Sequence, residues 1–137
     1  MEFVDTNVFL YAYDASAGER SAAALTLVSR LGRARTGALS VQVLQEFYVN
    51  AIAKIAQPLS PAEGRDRVRR LSLWRTHVPA ADDVIAASSI SEERQISFWD
   101  AMIVRSAAEL GCSTLWTEDL NDGQLIEGVR VANPFNR

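Results

Sequence analysis
Apolar positions along this chain come in short bursts separated by turn residues, and their period switches repeatedly between that of a strand and that of a helix. Phe3 and Val4 form a brief apolar run that stops at Asp5, and Val8, Phe9, Leu10 and Tyr11 follow it. This reads as a short strand and then a helical turn. Ser16, Ala17, Gly18 and Glu19 have capping-box spacing and predict a helix over Ala22–Leu31, closed by Gly32. Gly37–Ser40 reads as a short strand and turn. Val41–Ala56 has helical spacing, with Leu44, Tyr48, Ala51, Ile52 and Ile55 on one side and Pro58 as its stop.

Ser60, Pro61, Ala62 and Glu63 mark the clearest helix start, with a capping serine, a proline in the first position and a glutamate three residues on. That helix is expected to run to about Trp74. His77–Pro79 reads as a strand and Asp82–Gln95 as a helix. Ser97–Asp100 offers a second box, ahead of a helix over Ala101–Leu110 that ends at Gly111. Cys112–Trp116 and Val129–Ala132 complete the strands. Short strands alternating with helices predict an α/β fold whose parallel sheet is covered on both faces by helices.

Composition narrows the setting. The 137 residues suit one domain, and we expect residues 1–137 to fold as one. Cys112 is the only cysteine, which rules out an intrachain disulfide and fits a reducing, cytoplasmic compartment. The start carries no basic leader, and no apolar run is long enough to span a bilayer, so neither a signal peptide nor a membrane partner is expected. The net charge of −3 lacks the basic excess usual for nucleic-acid binders. An acidic total can nonetheless hide a basic face when several acids are gathered in one place. Of 14 basic side chains all but Lys54 are arginine, and Arg65, Arg67, Arg69, Arg70 and Arg75 form the densest stretch. Arg65 and Arg69 share a helix face and could contact phosphates; Asp66 could equally pair with Arg70.

The acids fall at element junctions. Asp5 follows the first strand, Asp100 lies in the first turn of a helix, and Glu118 and Asp119 follow a late strand. In a parallel sheet the strand C-termini open onto one edge, where ligands bind. Each acid also has a plain structural reading. Asp5 and Asp100 could cap helices, Asp119 and Asp122 could form turns near Gly123, and Glu46 could lie with Gln42 and Asn50 on a solvated stripe. Spacing alone leaves both readings open.

Short motifs go further. Val4-Asp5-Thr6-Asn7, Gln45-Glu46-Phe47, Phe98-Trp99-Asp100-Ala101 and Leu115-Trp116-Thr117-Glu118-Asp119-Leu120, with Asn133-Pro134-Phe135 near the end, occur in the order seen in PIN-domain nucleases. The chain resembles, over nearly its whole length, the VapC-type ribonuclease toxins of bacterial toxin–antitoxin pairs. The resemblance implies a PIN-like three-layer sandwich with strand order 3-2-1-4-5. It makes Asp5, Glu46, Asp100 and Asp119 the four catalytic acids, with Asp5, Asp100 and Asp119 as the principal metal ligands. Thr6 and Thr117 match hydroxyl positions that orient carboxylates or water, and Asn7 has a supporting role. Glu118 competes with Asp119 for the fourth position, and Asp122 is a distant candidate. A cognate antitoxin and a homodimer are implied as partners.

Elementary electrostatics makes such a cluster intelligible. Two carboxylates about 5 Å apart repel by roughly 3 kcal/mol at an effective dielectric near 20. Several such pairs need a cation or raised pKa values. Oxygen ligands suit Mg²⁺, or Mn²⁺, whereas the lone His77 and Cys112 do not make a zinc site. The expected reaction is hydrolysis of an RNA phosphodiester by water that one carboxylate activates, with Glu46 completing the site either through water or as a proton acceptor. Two rivals give the acids other work. One is a catalytically silent α/β binding module. The other is a phosphoacceptor receiver domain, which normally relies on a lysine after a late strand, whereas Lys54 falls inside a predicted helix. His77 reads as structural, and Trp74 and Trp99 as core residues.

Overall fold
A computed structural model describes all 137 residues, Met1–Arg137. Its elements are β1 (Glu2–Val4), α1 (Thr6–Tyr13), α2 (Glu19–Ala34), β2 (Gly37–Ser40), α3 (Val41–Ala53), α4 (Pro61–Leu71), β3 (Arg75–His77), α5 (Ala81–Arg94), α6 (Phe98–Glu109), β4 (Thr114–Trp116), β5 (Leu125–Ile126) and β6 (Val129–Ala132). The strands form one sheet in the order β3-β2-β1-β4-β6-β5. Five of them run parallel, in the expected 3-2-1-4-5 order if β6 is counted fifth. The added strand β5 pairs antiparallel with β6 across a turn at Glu127 and Gly128. Two residues of strand are too few to show a period, so the sequence did not reveal it.

Helices flank this sheet. α1 packs on α2 and α3, α3 on α4, and α5 on α6, while α6 also reaches β2, β4 and β6. Phe3, Val4, Leu39 and Leu115 from the central strands are fully buried, as are Phe9, Leu31, Phe47 and Val104 from the helices. Burial of each such side chain stabilises the fold by about 1.5–3 kcal/mol. No helix is long and apolar enough to cross a membrane.

Several boundaries differ from expectation for identifiable reasons. Ser16 does not cap α2: the Asp14 carboxylate accepts its amide at 3.1 Å and holds it in a 3₁₀ turn, and Gly18 precedes the helix without a side-chain cap. Gly32 does not end α2, which continues to Ala34 and closes through Arg35 at φ 56°. Gly32 instead faces the ring of Trp74. α3 stops at Ala53, where Lys54 caps it and the chain turns back so that the Leu59 amide donates to the Ala51 carbonyl at 2.9 Å. Lys54 therefore stands at a helix end, remote from the role a receiver domain would need.

The buried stripe of α3 is Val43, Phe47 and Ala51, while Leu44, Tyr48 and Ile52 are half-buried. A Cβ on Gly64 of α4 would lie 2.9 Å from Ile52 and 3.1 Å from Tyr48, so glycine permits this close crossing. The Ser60–Glu63 capping box forms as expected, at 3.1 and 3.0 Å. α4 ends at Leu71, before Trp74, whose ring turns inward to meet Phe9 edge-on at 5.3 Å. β3 begins at Arg75 and is over by Val78, which is 72% exposed, and Pro79, which has no amide to pair.

Candidate active site
Parallel neighbours place their C-terminal ends side by side, and three central strands do so here. Asp5 follows β1, α3 with Glu46 follows β2, and Thr117 to Asp119 follow β4. The Asp5 amide donates to the Trp116 carbonyl at 3.0 Å, which extends the β1–β4 ladder and sets Asp5 beside Thr117. Asp100 arrives by a different route. α6 is the helix that leads into β4, so it runs back across the sheet and starts at the same edge.

Asp5 is 6% exposed. Its Oδ1 accepts the Thr6 amide at 2.7 Å, so it does cap α1, and its Oδ2 accepts the Thr117 hydroxyl at 2.9 Å. The Thr117 hydroxyl in turn accepts the Asp119 amide at 3.1 Å. That bond fixes which way the Thr117 proton points, and one hydroxyl thus orients the first acid and the backbone of the fourth. Burial pushes the Asp5 carboxyl up to about 7 against two hydrogen bonds that lower it, and the charges of Asp119 and Glu46 push the same way as burial. Asp119 is also raised, by partial burial first and then by Asp100, Glu118 and Glu46. Asp5 and Asp119 therefore feel their acidic neighbours, although no three acids are gathered into a ready-made metal cage.

The solvated-stripe reading of Glu46 fails. Gln42 is 8% exposed, and its Nε2 donates to Glu46 Oε1 at 2.7 Å and to the Trp99 carbonyl at 3.2 Å. Asn50 donates to the Glu46 carbonyl at 2.8 Å. The cap reading of Asp100 also fails in part. Ser97 accepts the Asp100 amide at 3.0 Å, but the reciprocal bond that would occupy the Asp100 carboxylate is absent.

Other acids are committed elsewhere. Glu118 accepts the Tyr11 hydroxyl at 2.9 Å and pairs with Arg20, whose guanidinium lies 4.8 Å from the Phe135 ring. Asp122 accepts the Asn133 amide at 2.9 Å and pairs with Arg137 at 3.1 Å; the amide bond above all holds its carboxyl below the usual range. The Asn133-Pro134-Phe135 ending thus ties down the β4 loop and the Tyr11–Arg20–Glu118 cluster. Asn7 borders a separate hollow with Asp14, Asn50 and Lys54.

Away from this edge, His77 meets Ser106 Oγ at 2.8 Å and Asp83 at 3.5 Å, and Arg105 meets Asp83 at 2.8 Å. Ser106 is 1% exposed, so the group pins β3 and α5 to α6 and offers no nucleophile. Arg65 and Arg69 border an apolar groove of about 520 Å³ between α3 and α4, lined by Val41, Leu44, Tyr48 and Val68. Asp66 pairs with Arg70 at 3.0 Å and with Arg69 at 3.7 Å. Trp74 is a core residue as expected, but Trp99 is 64% exposed beside Glu46. Three residues that shape the site lay outside the expected set: Gln42, Trp99 and Arg20. Only Gln42 had a legible signal, its position one helical turn before Glu46.

An acidic centre at the C-terminal edge of a parallel α/β sheet defines the class of this protein. The chain belongs to the PIN domain family, whose model matches residues 3–121. Comparison with curated protein sequences finds no significant match. Among solved structures, the chain is similar to a toxin–antitoxin complex from Klebsiella pneumoniae (21% identity, 98% of each chain, TM-score 0.69). It is also similar to FitAcB from Neisseria gonorrhoeae (16% identity, 100% of each chain, TM-score 0.69). A third is Mycobacterium tuberculosis VapC20, described as a Sarcin-Ricin loop cleaving toxin (20% identity, 84% of this chain and 87% of that one, TM-score 0.62).

Proposed function
We propose that this protein is a Mg²⁺-dependent endoribonuclease, the toxic component of a toxin–antitoxin pair. The observation that supports the reading is that Asp5, Glu46, Asp100 and Asp119 lie toward one sheet edge, where burial first and neighbouring carboxylates second raise the Asp5 and Asp119 carboxyls. Hydrolysis of RNA accounts for that arrangement better than capping does, because Asp100 and Asp119 cap nothing through their carboxylates.

The donor set fits a hard divalent ion. It consists of carboxylate oxygens with hydroxyls behind them, and its openness suits Mg²⁺, which keeps much of its water. Asp5, Asp100 and Asp119 would hold the ion; Mn²⁺ would serve as a substitute. Once bound, the ion supplies positive charge that offsets the phosphodiester's negative oxygens and favours ionisation of water. Thr117 holds Asp5 in register with the Asp119 loop. Glu46, steadied by Gln42, accepts the proton of the attacking water. The Thr6 hydroxyl, next to Asp5 in the chain, is buried without a partner in the protein.

A cognate antitoxin is part of the proposal, supported by the toxin–antitoxin complexes among the similar structures. The apolar groove between α3 and α4 is surface that such a partner would cover. Pairing with a second copy and a cytoplasmic setting belong to the same reading. Asp5→Asn and Asp100→Asn are expected to abolish RNA cleavage while preserving the circular dichroism spectrum. Full cleavage by both variants would overturn the assignment.

A further inference from the structure
Beside the acids lies a hollow of about 400 Å³ lined by Gln42, Gln45, Glu46 and Trp99. We propose that it is a subsite for one unpaired nucleobase next to the scissile phosphate, with Trp99 as its stacking platform. The proposal rests on the nuclease reading and adds a place on this chain where a single base beside the cut is held.

Three observations carry it. Trp99 differs from the other two tryptophans: Trp74 packs into the core and Trp116 is half-buried with its indole N–H on Glu2 at 2.9 Å, whereas Trp99 leaves 64% of its surface in solvent. Its ring is in T-shaped contact with Phe98, centroids 5.2 Å apart. It stands in the first turn of α6, one residue before Asp100.

The chemistry of the lining selects the ligand. No lysine or arginine borders the hollow, and Glu46 would repel an anion, so a phosphate is excluded. A neutral planar ring meets an aromatic face, and the exposed Gln45 amide supplies both a donor and an acceptor for its edge.

Gln42 couples this platform to the acids. Both partners of its Nε2, the Glu46 carboxylate and the Trp99 carbonyl, can only accept, so the orientation of the amide is fixed. The bond thereby ties the first turn of α6, which carries Trp99, to the Glu46 side chain.

The test uses full-length protein and a single-stranded oligoribonucleotide of mixed sequence. In the Asp5→Asn background, which prevents cutting, the RNA is expected to quench tryptophan emission, and adding Trp99→Phe is expected to remove the quenching while preserving affinity. Trp99→Ala should weaken binding roughly 10-fold or more, the size of one lost base stack. In the cleavage-competent protein, Trp99→Ala should slow cutting and flatten base preference at one position flanking the cut, and Trp99→Phe should retain both. Quenching that persists in Trp99→Phe, or unchanged affinity and cut sites in Trp99→Ala, overturns the subsite alone. Absence of cutting by the wild-type protein with Mg²⁺ overturns the nuclease reading and the subsite with it.

Discussion
At the scale of single residues, the site is a contest between burial and charge at Asp5. The carboxyl titrates near 7 in the fold against an ordinary 3.8, so the metal-free fold keeps a proton that the unfolded chain gives up. The sign follows directly: nothing is lost below about pH 4, and stability falls as pH rises through 7. Asn at this position can still cap α1 and carries no charge. Asp5→Asn is therefore expected to stabilise the metal-free protein at pH 8 by up to about 4 kcal/mol, the full weight of the shift, with the gain vanishing near pH 4, as thermal melts across that range would show. Mg²⁺ should raise the melting temperature of the wild-type protein at pH 8 and leave Asp5→Asn unmoved. Thr117→Val removes a donor to Asp5 and an acceptor for the Asp119 amide. It should cost roughly 10- to 100-fold in metal affinity or cleavage, the usual weight of a group that orients a metal ligand. Wild-type affinity in that variant would show that the hydroxyl only packs.

At the scale of elements, the close contacts around Trp74 and Gly64 set where helices can lie. A Cβ on Gly37 would come within 2.3 Å of the Trp74 ring. Gly37→Ala should destabilise the fold by about 1–3 kcal/mol, read from denaturant unfolding, because the added methyl displaces the indole from its place against Phe9. An unchanged midpoint would mean that the ring is not seated as described. The alternation of short apolar runs and capped helices made most elements legible, and the Ser60–Glu63 box and the Ser97 start stand where the residues indicate. Boundaries were less legible wherever a tertiary contact decides them. Gly32 looks like a stop but serves as a contact for Trp74, and Ser16 looks like a cap but is held by Asp14. The acids were legible as junction residues, and for Asp5 the capping role is real as well, since it caps α1. Trp99 was misread because an aromatic at a helix start carries no mark of which way it faces, and Arg20 drew no reading because its partner Glu118 is distant in sequence.

At the scale of the whole molecule, the parallel order β3-β2-β1-β4-β6 explains why residues far apart in the chain share one edge. It also explains how a chain of net charge −3 could handle RNA, since the acids are concentrated where a divalent ion would offset them. The central claim, a metal-dependent endoribonuclease, is tested most directly by incubating purified protein with total cellular RNA under three conditions. These are Mg²⁺, excess EDTA, and Mg²⁺ with the Asp5→Asn variant. The account predicts discrete fragments in the first condition and intact RNA in the other two. Fragments that survive EDTA or the loss of the Asp5 carboxylate would contradict it.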